Sequence, residues 1–125
     1  MKLNELRTLG RSGLAVSPLT LGTMTMGNPD WGSPDEVSRA IFNRYVDAGG
    51  NSIDTADVYG GGRSEELVGQ FIAERKLRDR VVLATKYGFS AEQGNPLAGG
   101  AGRKNLGRAI DSSLRRLQTD YIDLY

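Results

Sequence analysis

The sequence contains no cysteine and no histidine in its 125 residues, and it has a single tryptophan. The lack of cysteine excludes a disulfide scaffold and thiol chemistry. The lack of histidine removes the commonest general base and the commonest metal ligand, so we expect no metal site. No apolar stretch reaches the length of a secretory or membrane-spanning segment. We therefore expect a cytoplasmic protein with no membrane partner.

An excess of charge of either sign is also missing. Sixteen lysine and arginine residues face fifteen acidic residues, which gives a formal net charge of +1. That balance is too small to hold nucleic acid or an anionic surface by charge alone. Charged residues make up 25% of the chain and hydrophobic residues 38%, a composition typical of a folded globular domain. These proportions predict an ordinary hydrophobic core.

Glycine is abundant, with 17 residues, and it separates segments of regular pattern. Residues 6–9 and 14–19 are short apolar runs on either side of a glycine-bearing turn, which predicts a β-hairpin. Residues 19–23 predict a short strand after it. Ser33 then has the features of a helix N-cap, with Pro34 after it and Glu36 in capping-box position.

The same unit of strand, loop and helix then recurs without self-similar sequence. Strands are predicted at residues 51–55, 81–85 and 121–125, with Ser64 as the cap of the second helix and a long loop at residues 88–102 before the third. This alternation calls for parallel strands in a single α/β domain, either a doubly wound sheet or a (β/α)8 barrel. No Gly-x-Gly-x-x-Gly follows the first strand, which disfavours the dinucleotide-binding doubly wound fold.

Polar residues stand where two of the predicted strands end. Asp54 ends one strand and Lys86 follows the next, at the edge where parallel α/β enzymes collect catalytic groups. Tyr59 lies five residues past Asp54 and can reach the same edge. A nearby ammonium stabilises a phenolate, so Lys86 would make Tyr59 a better proton donor, and Asp54 would keep Lys86 charged and oriented.

Three further features admit simpler interpretations. The glycine run at residues 60–62 is better explained as a tight turn into a helix than as a phosphate cradle, because the P-loop lysine pattern is absent. Trp31 could line an apolar substrate pocket or cover the rim of the fold. The third helix is basic, and its solvated face is expected to consist of Arg103, Lys104, Arg108, Arg115 and Arg116.

Several motifs together resemble the aldo-keto reductases over nearly the whole chain. They are residues 21–24 (LGTM), 53–60 (IDTADVYG), 64–69 (SEELVG), 85–86 (TK) and 113–125 (SLRRLQTDYIDLY). The resemblance implies a TIM barrel that binds NADP(H) without a Rossmann fold and reduces aldehydes or ketones by hydride transfer. At about 250 residues for a whole barrel, residues 1–125 would be its N-terminal half, with the hairpin, three βα units and the start of strand 4.

The resemblance also assigns site residues. Tyr59 matches the general acid of the family, and Asp54 and Lys86 match two more members of its catalytic tetrad; the fourth, a histidine, would follow residue 125. Gly22, Thr23 and Met24 match the segment of the family that lies by the cofactor. We also expect Asp54 to lie by the cofactor, and Tyr59 and Trp31 to line the substrate pocket. The family also contains regulatory subunits that bind cofactor, such as the potassium-channel β-subunits, and this alternative stays open.

Four parallel strands cannot close a barrel, because their outer edges would lack hydrogen-bond partners. The 125-residue chain is therefore expected to be inactive alone. We expect it either to associate with itself or to require a complementary half-barrel.

Overall fold

A computed structural model describes residues 1–125. Its helices and strands, in chain order, are β1 (Arg7–Thr8), β2 (Ala15–Val16), β3 (Leu21–Gly22), α1 (Asp35–Asp47), β4 (Ser52–Asp54), α2 (Arg63–Glu74), β5 (Val82–Ala84) and α3 (Arg103–Leu117). Short 3-10 turns at Tyr59–Gly62 and Arg78–Arg80 precede α2 and β5. The predicted alternation of strand and helix is confirmed.

The predicted hairpin is present, with β1 and β2 paired antiparallel. Asn51, the residue before β4, fixes the hairpin to the sheet. Its Oδ1 accepts the backbone N–H of Ser17 at 2.7 Å, and its Nδ2 donates to the carbonyl oxygen of Ala15 at 2.9 Å. The hairpin therefore lies at the N-terminal end of the parallel strands, away from the edge where Asp54 and Lys86 lie.

The parallel sheet has the strand order β3-β4-β5. Side chains alternate along each strand, so Ile53 of β4 and Leu83 of β5 point to one face and are fully buried. Asp54 and Ala84, which are register partners, point to the other face. There they line a concave cavity of about 390 Å³, which the hairpin bounds at its far end. One face of the sheet is thus packed and the other is open.

All three helices pack on the closed face of the sheet. Phe42 of α1 meets Phe71 of α2 with ring centroids 5.4 Å apart, and Leu117 of α3 joins the same buried cluster. These side chains surround Ile53 and Leu83, so the hydrophobic core lies between one helical layer and the sheet. No helix is both long and apolar enough to cross a bilayer.

Two predicted helix caps are wrong. Helix α1 begins at Asp35 without a side-chain cap, and the hydroxyl of Ser33 lies 2.8 Å from that of Ser38 instead. Helix α2 begins at Arg63 after Gly62, whose φ of 101° is left-handed. Ser64 is therefore inside the helix, where it is fully buried and bonds to the strand ends. Ser33 thus bonds to a side chain of the helix that it precedes instead of the backbone, whereas Ser64 bonds to residues from distant parts of the chain.

The predicted fourth strand forms only one bridge, between Ala84 and Leu124. Next to it the backbone N–H of Leu83 donates to Oδ2 of Asp123 at 2.8 Å, a side-chain contact in place of a regular ladder bond. The segment therefore follows β5 without forming a regular strand.

Candidate active site

Asp54 and Lys86 form the centre of the candidate site. Asp54 ends β4, and Lys86 lies two residues past its register partner Ala84, so both side chains leave the same edge of the sheet. The ammonium of Lys86 donates to Oδ1 and Oδ2 of Asp54 at 2.9 and 2.8 Å and to the carbonyl oxygen of Thr55 at 2.6 Å. All three ammonium hydrogens therefore have acceptors.

The Asp54–Lys86 pair is open to ligands. The side chain of Lys86 is 48% exposed and that of Asp54 is 37% exposed. A salt bridge this exposed contributes little to folding, about 0–1 kcal/mol. Its position at the strand ends, rather than its stability, distinguishes it from other surface pairs.

Tyr59 lies beside this pair, at the start of the turn before α2. Its backbone N–H donates to the carbonyl oxygen of Ala56 at 3.2 Å, which fixes the turn. Nζ of Lys86 is 4.9 Å from the centroid of the Tyr59 ring, within the range of a cation–π interaction. The half-buried ring thus presents its face to the ammonium, and the phenol hydroxyl makes no hydrogen bond within the chain. The three predicted residues are brought together, although Lys86 bonds to Asp54 and not to the phenol oxygen.

In the predicted cofactor segment, Gly22 and Met24 are exposed, whereas Thr23 is buried. Gly22 is exposed opposite Asp54, and a Cβ atom added to it would meet nothing within 4 Å. Met24 is 50% exposed. Thr23 is completely buried, and its hydroxyl donates to the carbonyl oxygen of Asp54 at 3.0 Å. Gly22 and Met24 are therefore accessible to a ligand, whereas the side chain of Thr23 joins two strand ends.

Trp31 lies in the loop between β3 and α1, and it is 59% exposed. Its backbone N–H donates weakly to Oδ1 of Asn28, at 3.4 Å. The indole lines none of the main cavities and does not share one with Tyr59. A role for Trp31 in a substrate pocket stays a prediction.

A second cavity, of about 560 Å³, lies beside the Tyr59 turn, between the loop after β5 and helix α3. Its lining includes Asp57, Phe89, Arg108 and Arg116. Arg108 bonds to the carbonyl oxygen of Ala98 at 2.6 Å, so it fastens the long loop to α3. No group of acidic side chains in the structure is arranged to hold a metal ion.

Two groups next to the candidate site have shifted pKa values. Burial raises the pKa of Asp57 above 3.8, the charge of Glu65 raises it further, and Arg116 opposes both. Burial also raises the pKa of Tyr125 to about 12, with Asp57 and Glu65 contributing. The folded environment at this edge of the sheet therefore disfavours the ionised form of both groups, compared with the same groups in water.

Sequence reasoning missed a buried polar network behind the site. Glu65 is fully buried, and its carboxylate accepts from the hydroxyl of Thr85 at 2.6 Å and from Nε of Arg116 at 2.7 Å. Arg116 had been assigned to the solvated face of the third helix, and that prediction is wrong. The signal for burial was present, because Glu65 shares a helix face with Val68 and Ile72 at spacings of three and seven residues.

Comparison with known proteins identifies the family. Residues 18–125 match the model of the Aldo/keto reductase family. The chain therefore belongs to the aldo-keto reductase family.

Individual relatives agree with this result. The chain is 43% identical over 122 residues to norsolorinic acid reductase B of Aspergillus parasiticus, covering 90% of the chain and 32% of that protein. It is 42% identical over 122 residues to the aldo-keto reductase YhdN of Bacillus subtilis, covering 97% of the chain and 37% of YhdN. The holo form of aldo-keto reductase AKR11C1 from Bacillus halodurans aligns with a TM-score of 0.79 at 40% identity, over 96% of the chain and 38% of that protein.

The chain thus spans roughly a third of the length of these relatives. Its α/β fold aligns with part of the barrel of these proteins, and the remaining part has no counterpart among the 125 residues.

Proposed function

We propose that this chain carries the proton-donating part of an NADP(H)-dependent carbonyl reductase that converts aldehydes or ketones to alcohols. The observation that supports it is the cluster at the sheet edge: the ammonium of Lys86 holds both carboxylate oxygens of Asp54 and lies over the ring of Tyr59. The cluster is exposed and borders the open concave face. Because the Tyr59 hydroxyl makes no hydrogen bond within the chain, it would be free to donate to a carbonyl oxygen placed beside it.

Three residues of the chain contribute to protonation of the carbonyl oxygen. The Tyr59 hydroxyl donates a proton to the carbonyl oxygen, and the positive charge of Lys86 stabilises the phenolate that remains. Asp54 keeps the Lys86 ammonium in place through two hydrogen bonds. Both residues act on Tyr59 and neither needs to touch the substrate.

Gly22 and Met24 fit a large cofactor at the same edge. Gly22 leaves open space opposite Asp54, so a flat ring could approach the backbone there, and Met24 offers an exposed apolar side chain. NADP(H), when bound, supplies the hydride. This segment and Asp54 account for one part of a cofactor site, and the rest would come from the strands that complete the barrel.

We further propose that residues 1–125 are the N-terminal half of one barrel domain, whose open faces are covered by the remaining half. Strand β3 pairs only with β4, which leaves its outer edge free. The concave cavity is open, and helix α1 has an exposed apolar face with Val37 and Ile41 47% and 43% exposed. These three surfaces belong together, because a closed barrel would bury all of them.

The function is tested in a chimera in which this chain replaces the matching segment of YhdN. We expect the chimera to oxidise NADPH in the presence of aldehydes, and Tyr59→Phe to abolish turnover while NADPH binding persists. Tyr87→Phe is the matched control, since Tyr87 is also a tyrosine close to Lys86. Full turnover by Tyr59→Phe would refute the proton donor. Binding without any turnover in the chimera would favour a regulatory cofactor-binding subunit instead.

The half-barrel proposal is tested by light scattering on the 125-residue chain during size exclusion. We expect self-association of the isolated chain, and a monomer when the chain is part of the YhdN chimera with its open faces covered. A compact and stable monomer of the isolated chain at micromolar concentration would contradict it.

A further inference from the structure

We propose that Glu65 is a positioning residue for Lys86, acting through the side chain of Thr85. The inference rests on the proposed function, because Lys86 is the residue that prepares Tyr59. Glu65 touches neither Lys86 nor Tyr59. It instead holds the end of β5 in a fixed place, one residue before Lys86.

The contacts of Glu65 reach two separate elements. Oε1 accepts from the hydroxyl of Thr85 at 2.6 Å, and Oε2 accepts from Nε of Arg116 at 2.7 Å. Glu65 is fully buried, and the side chain of Arg116 is 26% exposed. A buried carboxylate persists only with charged or hydrogen-bonded partners, so this one ties α2 to both β5 and α3.

Thr85 transmits the position to Lys86. Because side chains alternate along a strand, Thr85 points toward the helices and Lys86 toward the open edge. The backbone at Lys86 is fixed in turn, since its carbonyl oxygen accepts the N–H of Asp57 at 3.1 Å. An anchored Thr85 side chain limits rotation of the strand end, which keeps the Lys86 ammonium within reach of Asp54.

The same network also reaches the turn that carries Tyr59. The Arg116 side chain lies against Gly62, where an added Cβ atom would be 2.8 Å from Cδ of Arg116. Gly62 ends the Tyr59–Gly62 turn. Glu65 therefore holds the strand end before Lys86 directly and supports the Tyr59 turn through Arg116.

Ser64, the residue before Glu65, anchors the ends of the other two strands. The hydroxyl of Ser64 lies 2.8 Å from the carbonyl oxygen of Thr23 and 3.1 Å from the hydroxyl of Thr55. Thr23 follows β3 and Thr55 follows β4. The first turn of α2 thus anchors all three strand ends, and only Glu65 serves the one that leads to Lys86.

The test is competitive acetylation of the four lysines, read out residue by residue by mass spectrometry. Thr85→Val is the informative variant, because it removes the hydroxyl and keeps the Glu65–Arg116 pair, whereas Glu65→Gln leaves a partly buried guanidinium without its counterion. In the parent chain, Lys86 should react more slowly than Lys104, since its ammonium is hydrogen-bonded. Thr85→Val should raise the Lys86 rate by roughly two- to tenfold, the factor expected for one lost hydrogen bond. Thr85→Ser should restore protection.

A core variant in α1, Phe42→Leu, separates positioning from general stability, because no member of the Glu65 network lies on that helix. It should lower the melting temperature, and the Lys86 rate relative to Lys104 should stay at the parent value. An unchanged Lys86 rate in Thr85→Val, or an equal rise in Phe42→Leu, would overturn the proposal. Because acetylation does not depend on turnover, an inactive YhdN chimera would refute the reductase function while the labelling result still decides the role of Glu65.

Discussion

Lys86 lies over the face of the Tyr59 ring, with Nζ 4.9 Å from the ring centroid, while its three hydrogens are directed to Asp54 and Thr55. The positive charge of the ammonium therefore lies over the ring, and no hydrogen bond joins it to the phenol oxygen. Lys86→Met keeps the length of the side chain and removes that charge. We expect turnover of the YhdN chimera to fall by about 100-fold or more, with NADPH affinity close to that of the parent.

The control for this substitution is Lys104→Met on the exposed face of α3, which should leave turnover unchanged. Steady-state kinetics and fluorescence titration with NADPH measure the two quantities separately. A Lys86→Met chimera that keeps parental turnover would show that the charge over the ring is irrelevant to proton donation.

The meeting of Asp54 and Lys86 was predictable from the sequence. Parallel strands joined by helices end at the same edge, and the alternation of side chains then decides which residues share a direction. The order of elements was predictable for a similar reason, since glycine clusters separate segments of clear period. The closeness of Tyr59 followed only from its spacing after Asp54 together with the family resemblance.

The side-chain partners of the buried polar residues were not predictable. Ser33 and Ser64 both stand where a capping rule applies, but that rule considers only local backbone groups. In the folded chain the hydroxyl of Ser64 lies beside those of Thr55 and Thr23, which follow two different strands and are 9 and 41 residues away in sequence. Arg116 was likewise assigned to solvent, because a basic helix alone does not show that a buried Glu65 faces it.

For two glycines inside helices, we expect substitution by alanine to have opposite effects on the free energy of unfolding. At Gly69 of α2, an added Cβ atom would lie 2.6 Å from the carbonyl oxygen of Leu117, at the close contact between α2 and α3. At Gly107 of α3, it would meet nothing within 4 Å. We expect Gly69→Ala to lower the free energy of unfolding by about 1–3 kcal/mol. Gly107→Ala should raise it by up to about 1 kcal/mol, because alanine favours the helix.

Urea unfolding followed by circular dichroism measures both changes, and each variant is the control for the other. If both substitutions stabilise the chain by similar amounts, helix propensity alone accounts for them. That result would contradict the close contact between α2 and α3 at Gly69.

We expect removal of the Asp57 charge to stabilise the folded chain, by an amount that depends on pH. Its pKa is raised in the folded chain by burial and by Glu65, so ionisation at neutral pH disfavours the folded state. Asp57→Asn should therefore be more stable than the parent near pH 7, by about 0.5 kcal/mol for a partly exposed site. The difference should disappear as the pH falls below 3.8, where Asp57 is protonated in both states. Melting temperatures of the two chains across this pH range provide the measurement, and a constant difference would contradict it.

We expect ionisation of Tyr125 to lower the stability of the folded chain at alkaline pH. Its phenol ring stacks on that of Tyr87, with centroids 4.9 Å apart, and burial together with Asp57 and Glu65 raises its pKa to about 12 from the ordinary value of 10.0. A raised pKa favours the neutral folded form, so the contribution of Tyr125 to stability is complete below pH 10 and is lost as the pH rises toward 12. Tyr125→Phe cannot ionise, and it should unfold at a higher pH than the parent. Absorbance titration of tyrosinate, taken as the difference between parent and variant, should show a midpoint near 12 in the folded chain and near 10.0 in urea. The same midpoint in both conditions would mean that neither the stacked ring nor the two carboxylates affect this phenol.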